Sequence, residues 1–389
     1  MQYRKFGSLD WEVSALGFGC MRLPTKKKFG FLSAVDEPEA IKMLHHAIDN
    51  GVNYVDTAYM YHNGKSEVVV GKALQGYREK VHLVTKLPMG KVKSPDDVDK
   101  LLCEQLKKLK TDHLDIYLFH GLNKKTFELL KSLDLMKKME AAKASGKINH
   151  IGFSFHDNFD TFKEIIDYYA WDACQVQMNY MDVENQATMK GLKYAASKGI
   201  GVIIMEPLRG GRLADPPDEV KKLFDEAPVK RTPADWALQF LWNCPEVSVV
   251  LSGMSAMQQV EENLKSADVS GIGTLTDEEA EALAKASALV QNALLVPCTA
   301  CQYCMPCPNG VMIPNNFRIV NEMAYAKDIK RLQMFYKRIA KENGTADYCT
   351  ECNACLEKCP QQIQIPTELK KVKKVMSSKK NIVHEVFQT

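Results

Sequence analysis

"VSALGFGCMRL", residues 13–23, is a short apolar run that ends in a glycine-rich turn, and the fold depends on how that turn is read. An open, doubly wound parallel sheet usually carries G-x-G-x-x-G after its first strand, with an acidic residue some twenty positions on. Residues 17–22, "GFGCMR", hold only the first half of that pattern. The next segment, "EPEAIKMLHHAIDNG" (37–51), reads as an amphipathic helix stopped by Gly51. Seven further apolar runs continue the alternation: "VNYVDTA" (52–58), "VHLVTKL" (81–87), "LDIYLFH" (114–120), "INHIGFSF" (148–155), "ACQVQMNY" (173–180), "GIGVIIMEP" (199–207) and "VSVVLSG" (247–253). Helical stretches separate them, among them "SPDDVDKLLCEQLKKLK" (94–110), with Ser94 as its N-cap, and "NQATMKGLKYAASKG" (185–199). Eight strand–helix units predict an α/β fold, a (β/α)8 TIM barrel over residues 1–275, and polar residues at the C-terminal ends of its strands become the site candidates.

The composition suits a globular chain, with 46% hydrophobic and 25% charged residues, and 389 residues leave room for a smaller second domain. No apolar run approaches the length of a membrane span. The opening "MQYRKFGSLDW" lacks the apolar core of a secretion signal, so a cytoplasmic location is expected. Residues 297–389 carry 14 Lys and Arg against 8 Asp and Glu, in a chain whose net charge is +3. The bland reading of this basic tail, notably "ELKKVKKVMSSKK" (368–380), is the solvated face of a terminal helix; the sharper one is a docking face for an acidic partner. Neither a binding motif nor interleaved aromatics accompany the lysines, which argues against nucleic acid.

Three strand ends carry chemistry. Asp56 closes "VNYVD", Lys86 closes "VHLVTK" and His120 closes "LDIYLFH", while Tyr61 follows Asp56 by five residues. Singly, each has a structural explanation: a turn cap, a rim lysine, a satisfied core histidine, a packing tyrosine. Jointly they form a coherent acid. A phenol with a pKa of about 10 is a poor proton donor at neutral pH. A neighbouring ammonium favours the phenolate, provided a carboxylate holds the lysine in place. An imidazole opposite can hydrogen-bond and orient a substrate carbonyl.

On "DTAYMY" (56–61), "VTK" (84–86) and "YLFH" (117–120), the first three quarters of the chain resemble the aldo-keto reductase family and its Asp–Tyr–Lys–His tetrad. The resemblance implies an NAD(P)-dependent oxidoreductase acting on a small carbonyl or alcohol. Tyr61 is then the general acid, Lys86 lowers its pKa, Asp56 holds Lys86, and His120 orients the carbonyl. It also implies cofactor contacts. Ser154 and Gln175 match the residues that bind the nicotinamide carboxamide, although Phe155 stands where the family usually has Asn. Met205 occupies the position of the ring that many members stack on the nicotinamide. Leu208, Gly210 and Gly211 line the pyrophosphate path. Ser252, Gly253 and Met254 fall near the adenosine ribose, and Glu262 and Asn263 near the adenine. Gln259 stands where an arginine is common in members selective for NADP, so strong selectivity for NADP over NAD is not expected unless Arg209 or Arg212 supplies the charge. Met21 is counted with the cofactor contacts and, with Arg22, Met60, His62 and Phe155, with the pocket lining. Gly121 replaces a bulkier residue and suggests a roomier pocket.

Eight of the twelve cysteines lie in two runs, Cys298-x2-Cys301-x2-Cys304-x2-Cys307-Pro308 and Cys349-x2-Cys352-x2-Cys355-x3-Cys359-Pro360. Cys20, Cys103, Cys174 and Cys244 are scattered and read as structural thiols. Without an export signal, such clustering points to metal ligation rather than disulfides. Ferredoxins with two clusters use C-x2-C-x2-C-x3-C-P twice, the fourth cysteine of each run binding the other cluster. Zinc is the rival, but a four-thiolate zinc site pairs two C-x2-C knuckles and needs no third cysteine in register. Two 4Fe-4S clusters are therefore expected, one on Cys298, Cys301, Cys304 and Cys359, the other on Cys307, Cys349, Cys352 and Cys355. The second uses the one shortened spacing, so if a single cluster forms it is the first. Between the runs, residues 315–344 read as helical, and this predicts a small, mainly α-helical ferredoxin-like domain over 297–389, joined to the barrel by a helix at 276–296.

Three functions follow. The chain is a nicotinamide-dependent carbonyl reductase whose clusters have a separate role, or an electron-transfer protein coupling nicotinamide, through a flavin, to the clusters and a ferredoxin-type partner, or a protein whose second domain only docks another redox protein. Hydride carries two electrons and each cluster accepts one, which restrains the second.

Overall fold

A computed structural model describes residues 1–27, 33–324, 329–340, 343–378 and 380–387. Eight parallel strands close into a barrel in chain order: β1 (Leu16–Gly19), β2 (Tyr54–Asp56), β3 (His82–Leu87), β4 (Leu114–Leu122), β5 (Ile148–Phe155), β6 (Ala173–Gln177), β7 (Gly201–Met205) and β8 (Val249–Ser252). All eight strand expectations hold. The half-pattern at 17–22 ends β1 and passes into a single 3-10 turn, Cys20–Arg22. Helices α1 (Glu37–Asp49), α2 (Ser66–Ala73), α3 (Asp96–Leu109), α4 (Lys124–Ser132), α5 (Leu135–Ala144), α6 (Phe159–Tyr168) and α7 (Thr188–Ser197) follow strands β1 to β6. Gly51, at φ +94°, ends α1 as expected.

The strand period of two builds the site. Tyr54, Val84, Ile116, Leu118, Ala173, Ile203 and Val249 point inward and fill the base of the barrel with Phe6 and Val13. Val55, Leu83, Tyr117 and Phe119, in the alternate register, belong to the larger core shared with the helices. One step further along each strand, the inward positions become Asp56, Lys86, His120, Ser154, Gln175 and Met205. An antiparallel hairpin of Tyr3–Lys5 and Glu12–Ser14 carries Phe6 and Val13 into that base. The sequence reading did not anticipate it. Ser94 stands outside the N-terminus of α3, whose cap residue is Pro95. The Asp97 carboxylate instead accepts the backbone N–H groups of Lys93 and Ser94 at 2.9 Å, and those bonds hold it down to about 2.

The chain divides into two compact units, residues 1–208 with 234–276, and residues 209–233 with 277–389. The first also contains α9 (Pro233–Trp242), apart from its first residue, and α10 (Met257–Asp268). The second comprises α8 (Asp218–Glu226), α11 (Asp277–Ala293), α12 (Ile313–Met323), α13 (Lys330–Ala340), α14 (Ile365–Ser377) and α15 (Val383–Phe387). The stretch read as helical between the cysteine runs is thus two helices; its residues 325–328 and 341–342 lie outside the described residues. Val296, Phe317, Val320, Ile339, Leu369 and Val372 form the core of this unit. Two fully buried asparagines fasten it. The Asn321 carbonyl oxygen accepts from Leu295 and Val296, and Asn316 spans Met312, Gly344 and Ala346. Among the described residues no helix is long and apolar enough to cross a membrane.

Candidate active site and thiol centres

The four tetrad candidates meet at the C-terminal end of the barrel. Lys86 Nζ donates to both Asp56 carboxylate oxygens at 2.7 Å and to the Thr57 carbonyl at 2.9 Å. It reaches the Tyr61 hydroxyl at 3.5 Å. The Tyr61 and His120 rings meet edge to face, 6.0 Å between centroids. Lys86 is fully buried and Asp56 nearly so. Burial pulls the lysine below its ordinary range and pushes the Asp56 carboxyl up, while their mutual attraction opposes both shifts. His120 is held well below 6.5 by burial, by the Lys86 charge and by His156. A neutral imidazole can donate one N–H to an oxygen without carrying charge.

The remaining candidates divide. The Ser154 hydroxyl accepts the Gly121 N–H at 2.7 Å, and Gly121 sits at φ +68°, a backbone region open to glycine. The Gln175 amide donates to Asp56 Oδ2 at 3.1 Å, so this residue touches the tetrad itself. Met205 ends β7, half-buried, and Met21 lies in the turn after β1. At β8, Ser252 is fully buried and accepts from the Asn263 amide at 2.9 Å; Met254 is buried and Gly253 exposed. Gln259 accepts the Ser255 N–H at 2.8 Å and Glu262 accepts from Gln258 at 2.7 Å, on a helix whose one basic residue is Lys265. Leu208 is the last residue of its stretch of the first unit. Gly210 and Gly211, at φ +69° and +94°, belong to the second. Arg209 and Arg212 also lie there, where their charges oppose the burial that pushes the Cys298 thiol up.

Sequence reasoning missed a second histidine. His156, just past β5, bonds through Nδ1 to Gln186 at 3.2 Å, and burial pushes it down to about 4. Both His120 and His156 resist in the folded chain a proton that the unfolded chain accepts below 6.5. Their contribution to stability is therefore complete above pH 6.5 and declines as the pH falls from there toward 4. Thermal midpoints measured across that window are expected to fall with pH, and less so in His156→Gln.

None of the twelve cysteines forms a disulfide. One cavity is lined by Cys298, Cys301, Cys304 and Cys359, with Thr299, Gln302 and Phe317 among its other walls. A second is lined by Cys307, Cys349, Cys352 and Cys355, with Cys304, Asn309 and Lys358. These are the two ligand sets expected from the spacing, and Cys304 borders both cavities. Each cavity thus gathers at least four cysteine thiols, the donor type and number that a 4Fe-4S cluster takes. Residues 351–354, including Cys352, are exposed.

Comparison with known proteins agrees with both halves. The profile of the Aldo/keto reductase family matches residues 15–288, and that of the 4Fe-4S dicluster domain matches residues 297–364. L-galactose dehydrogenase of Arabidopsis thaliana is 30% identical over 287 residues, covering 68% of this chain and 87% of that protein. "Uncharacterized oxidoreductase YqkF" of Bacillus subtilis (strain 168) is 27% identical over 314 residues, covering 73% and 95%. Among solved structures, aldo-keto reductase AKR11C1 from Bacillus halodurans in its holo form superposes with a TM-score of 0.62 at 27% identity, over 74% of this chain and 96% of that one. An aldo-keto reductase from Klebsiella pneumoniae in complex with NADPH shares the fold, with a TM-score of 0.60 at 22% identity over 73% and 94%. From its first barrel strand to the helix that follows the eighth, then, this chain belongs to the aldo/keto reductase family of oxidoreductases, and a 4Fe-4S dicluster domain follows.

Proposed function

We propose that the chain is an NAD(P)H-dependent carbonyl reductase with Tyr61 as general acid, and that two 4Fe-4S clusters occupy its second domain. The observation that carries the first part is the buried Lys86 ammonium, held by Asp56 on one side and 3.5 Å from the Tyr61 hydroxyl on the other. Fully buried, an ammonium at that distance stabilises the phenolate that remains when Tyr61 gives up its proton. Asp56 keeps the ammonium in place, and Gln175 adds a hydrogen bond to the carboxylate. His120, neutral, donates an N–H to the substrate oxygen and fixes which carbonyl face is presented. The nicotinamide, when bound, supplies the hydride. Tyr61 delivers the proton to the oxygen, and in the reverse direction its phenolate takes the proton from the alcohol.

Ser154 and Gln175, nearly fully buried and paired across neighbouring strands, supply the polar groups that a carboxamide requires. Ser252, Gly253, Met254, Gln259, Glu262 and Asn263 form the adenosine end. That helix has no basic residue near its start, which supports use of NAD as well as NADP. Residues 1–275 serve as the reductase, 276–296 as the link, and 297–389 as the cluster domain. Cys298, Cys301, Cys304 and Cys359 hold one cluster; Cys307, Cys349, Cys352 and Cys355 hold the other. Each cluster carries single electrons when bound. The exposed Cys352 favours a second role beside the first, exchange of those electrons with a ferredoxin-type protein. Twelve cysteines with no disulfide among them suit a reducing cytoplasm. The test is anaerobic reduction of a panel of small aldehydes and ketones with NADH and with NADPH. Alcohol formed in equal amount to the nicotinamide oxidised is expected. Nicotinamide oxidation with no alcohol from any of the panel overturns the reading.

A further inference from the structure

Lys86 is held at both ends, and one short turn of helix has a hand in each. The ammonium's acceptor outside the tetrad is the Thr57 carbonyl. Thr57 is fastened through its hydroxyl to Ser66, 2.9 Å away, and the Ser66 hydroxyl also lies 2.9 Å from the Cys20 carbonyl at the end of β1. At the other end, the main-chain carbonyl of Lys86 accepts the Gln105 amide at 3.0 Å. That amide also reaches Glu67 at 2.5 Å, Glu67 accepts the Thr85 hydroxyl at 2.8 Å, and Gln105 accepts the Tyr117 hydroxyl at 2.7 Å. Lys108 lies 3.5 Å from the other Glu67 oxygen. Ser66 and Glu67 are neighbours in the first turn of α2, and Thr57, Ser66, Glu67, Thr85, Gln105 and Tyr117 are all fully buried.

Such a network is a costly way to fill space. It lies among Leu, Val and Phe side chains, where an apolar residue would pack without losing hydration and a lone carboxylate must find partners. What the polar residues supply is direction: each bond has a preferred distance and angle, which dispersion contacts lack. Direction matters at Lys86 because the ammonium acts on Tyr61 across 3.5 Å, and a shift of about 1 Å in a reacting group can cost on the order of 100-fold in rate. We infer that Ser66, Glu67 and Gln105 are positioning residues for Lys86, Ser66 acting through the Thr57 carbonyl on the ammonium and the Glu67–Gln105 pair acting on the lysine main chain. The inference rests on the tetrad reading given above.

Ser66→Ala, Gln105→Met and the conservative Ser66→Thr are compared in the full-length, cluster-loaded protein. Ser66→Ala and Gln105→Met are expected to lower kcat about 10- to 100-fold. Aldehyde KM and the dinucleotide Kd, followed by nicotinamide fluorescence, stay at the wild-type values. The basic limb of the kcat–pH profile moves to higher pH, because a displaced ammonium favours the phenolate less. Ser66→Thr, which keeps the hydroxyl, recovers most of the rate. An unmoved pH limb in Ser66→Ala overturns the inference, whatever happens to its thermal midpoint, and so does a loss of kcat matched by loss of dinucleotide binding. Should Gln105→Met fail to fold, the Ser66 pair decides alone. Tyr61→Phe, assayed beside them, separates the two readings: full activity there defeats the tetrad itself, independently of Ser66.

Discussion

Replacing Tyr61 with phenylalanine is expected to lower kcat for carbonyl reduction by about 100- to 10,000-fold, the range that a positioned acid contributes. Dinucleotide binding should stay intact. The substitution removes one oxygen and leaves the ring, which packs edge to face against His120 and lies 5.1 Å from the Lys86 ammonium. Neither contact needs the hydroxyl. The ammonium keeps both Asp56 oxygens and the Thr57 carbonyl. The loss should therefore fall on the chemical step and leave KM nearly unchanged, which is the signature of an interaction made only in the transition state. Lys86→Met belongs to a different class. It leaves Asp56 buried without its partner, so a stability cost of about 3–5 kcal/mol accompanies the loss of activity.

The second large effect concerns the crossed ligand sets. Cys307 belongs to the first run by sequence but lines the cavity of Cys349, Cys352 and Cys355, and Cys359 belongs to the second run but lines the cavity of the first. Cys307→Ser and Cys352→Ser should each remove one cluster, and the double variant should lose no more iron than either alone. Cys359→Ser combined with Cys352→Ser, two positions of the same run, should lose both clusters. Sites confined to single runs predict the opposite pattern. Iron and sulfide content with low-temperature EPR of the reduced proteins separates the two schemes.

The barrel could be read from the sequence because its strands are buried on both sides and punctuated by helices of ordinary amphipathic period. The four tetrad candidates are picked out by resemblance, and they come together because Asp56, Lys86 and His120 lie in the inward register at or near the ends of their strands. The crossed grouping of the cysteines is the one expected from the pattern of two-cluster ferredoxins, and the same two groups line the two cavities. What escaped the reading had weaker local signals. The N-terminal hairpin has strands of three residues each. Segment 209–233 has no pattern that foretells its grouping with the second unit. Glu67 and Gln105 look like ordinary polar positions in "SEVVVGKA" and "DDVDKLLCEQLKKL"; only their burial, their bond to each other and the bond from Gln105 to the Lys86 carbonyl mark them out. Ser94 does not act as a cap because the Asp97 N–H goes to the Ser94 carbonyl, and the Ser94 hydroxyl donates to the Asp97 carboxylate instead of accepting.

The central claim is that hydride leaves the nicotinamide for a carbonyl carbon while Tyr61 supplies the proton. It is tested most directly by an anaerobic single turnover of cluster-loaded protein with stoichiometric NADPH and an aldehyde, following the nicotinamide absorbance, the visible band of the clusters and the alcohol formed. The account predicts alcohol equal to the NADPH consumed, an unchanged cluster band over that time, and no alcohol on the same timescale in Tyr61→Phe. Bleaching of the cluster band in step with NADPH loss, with no alcohol formed, would contradict it.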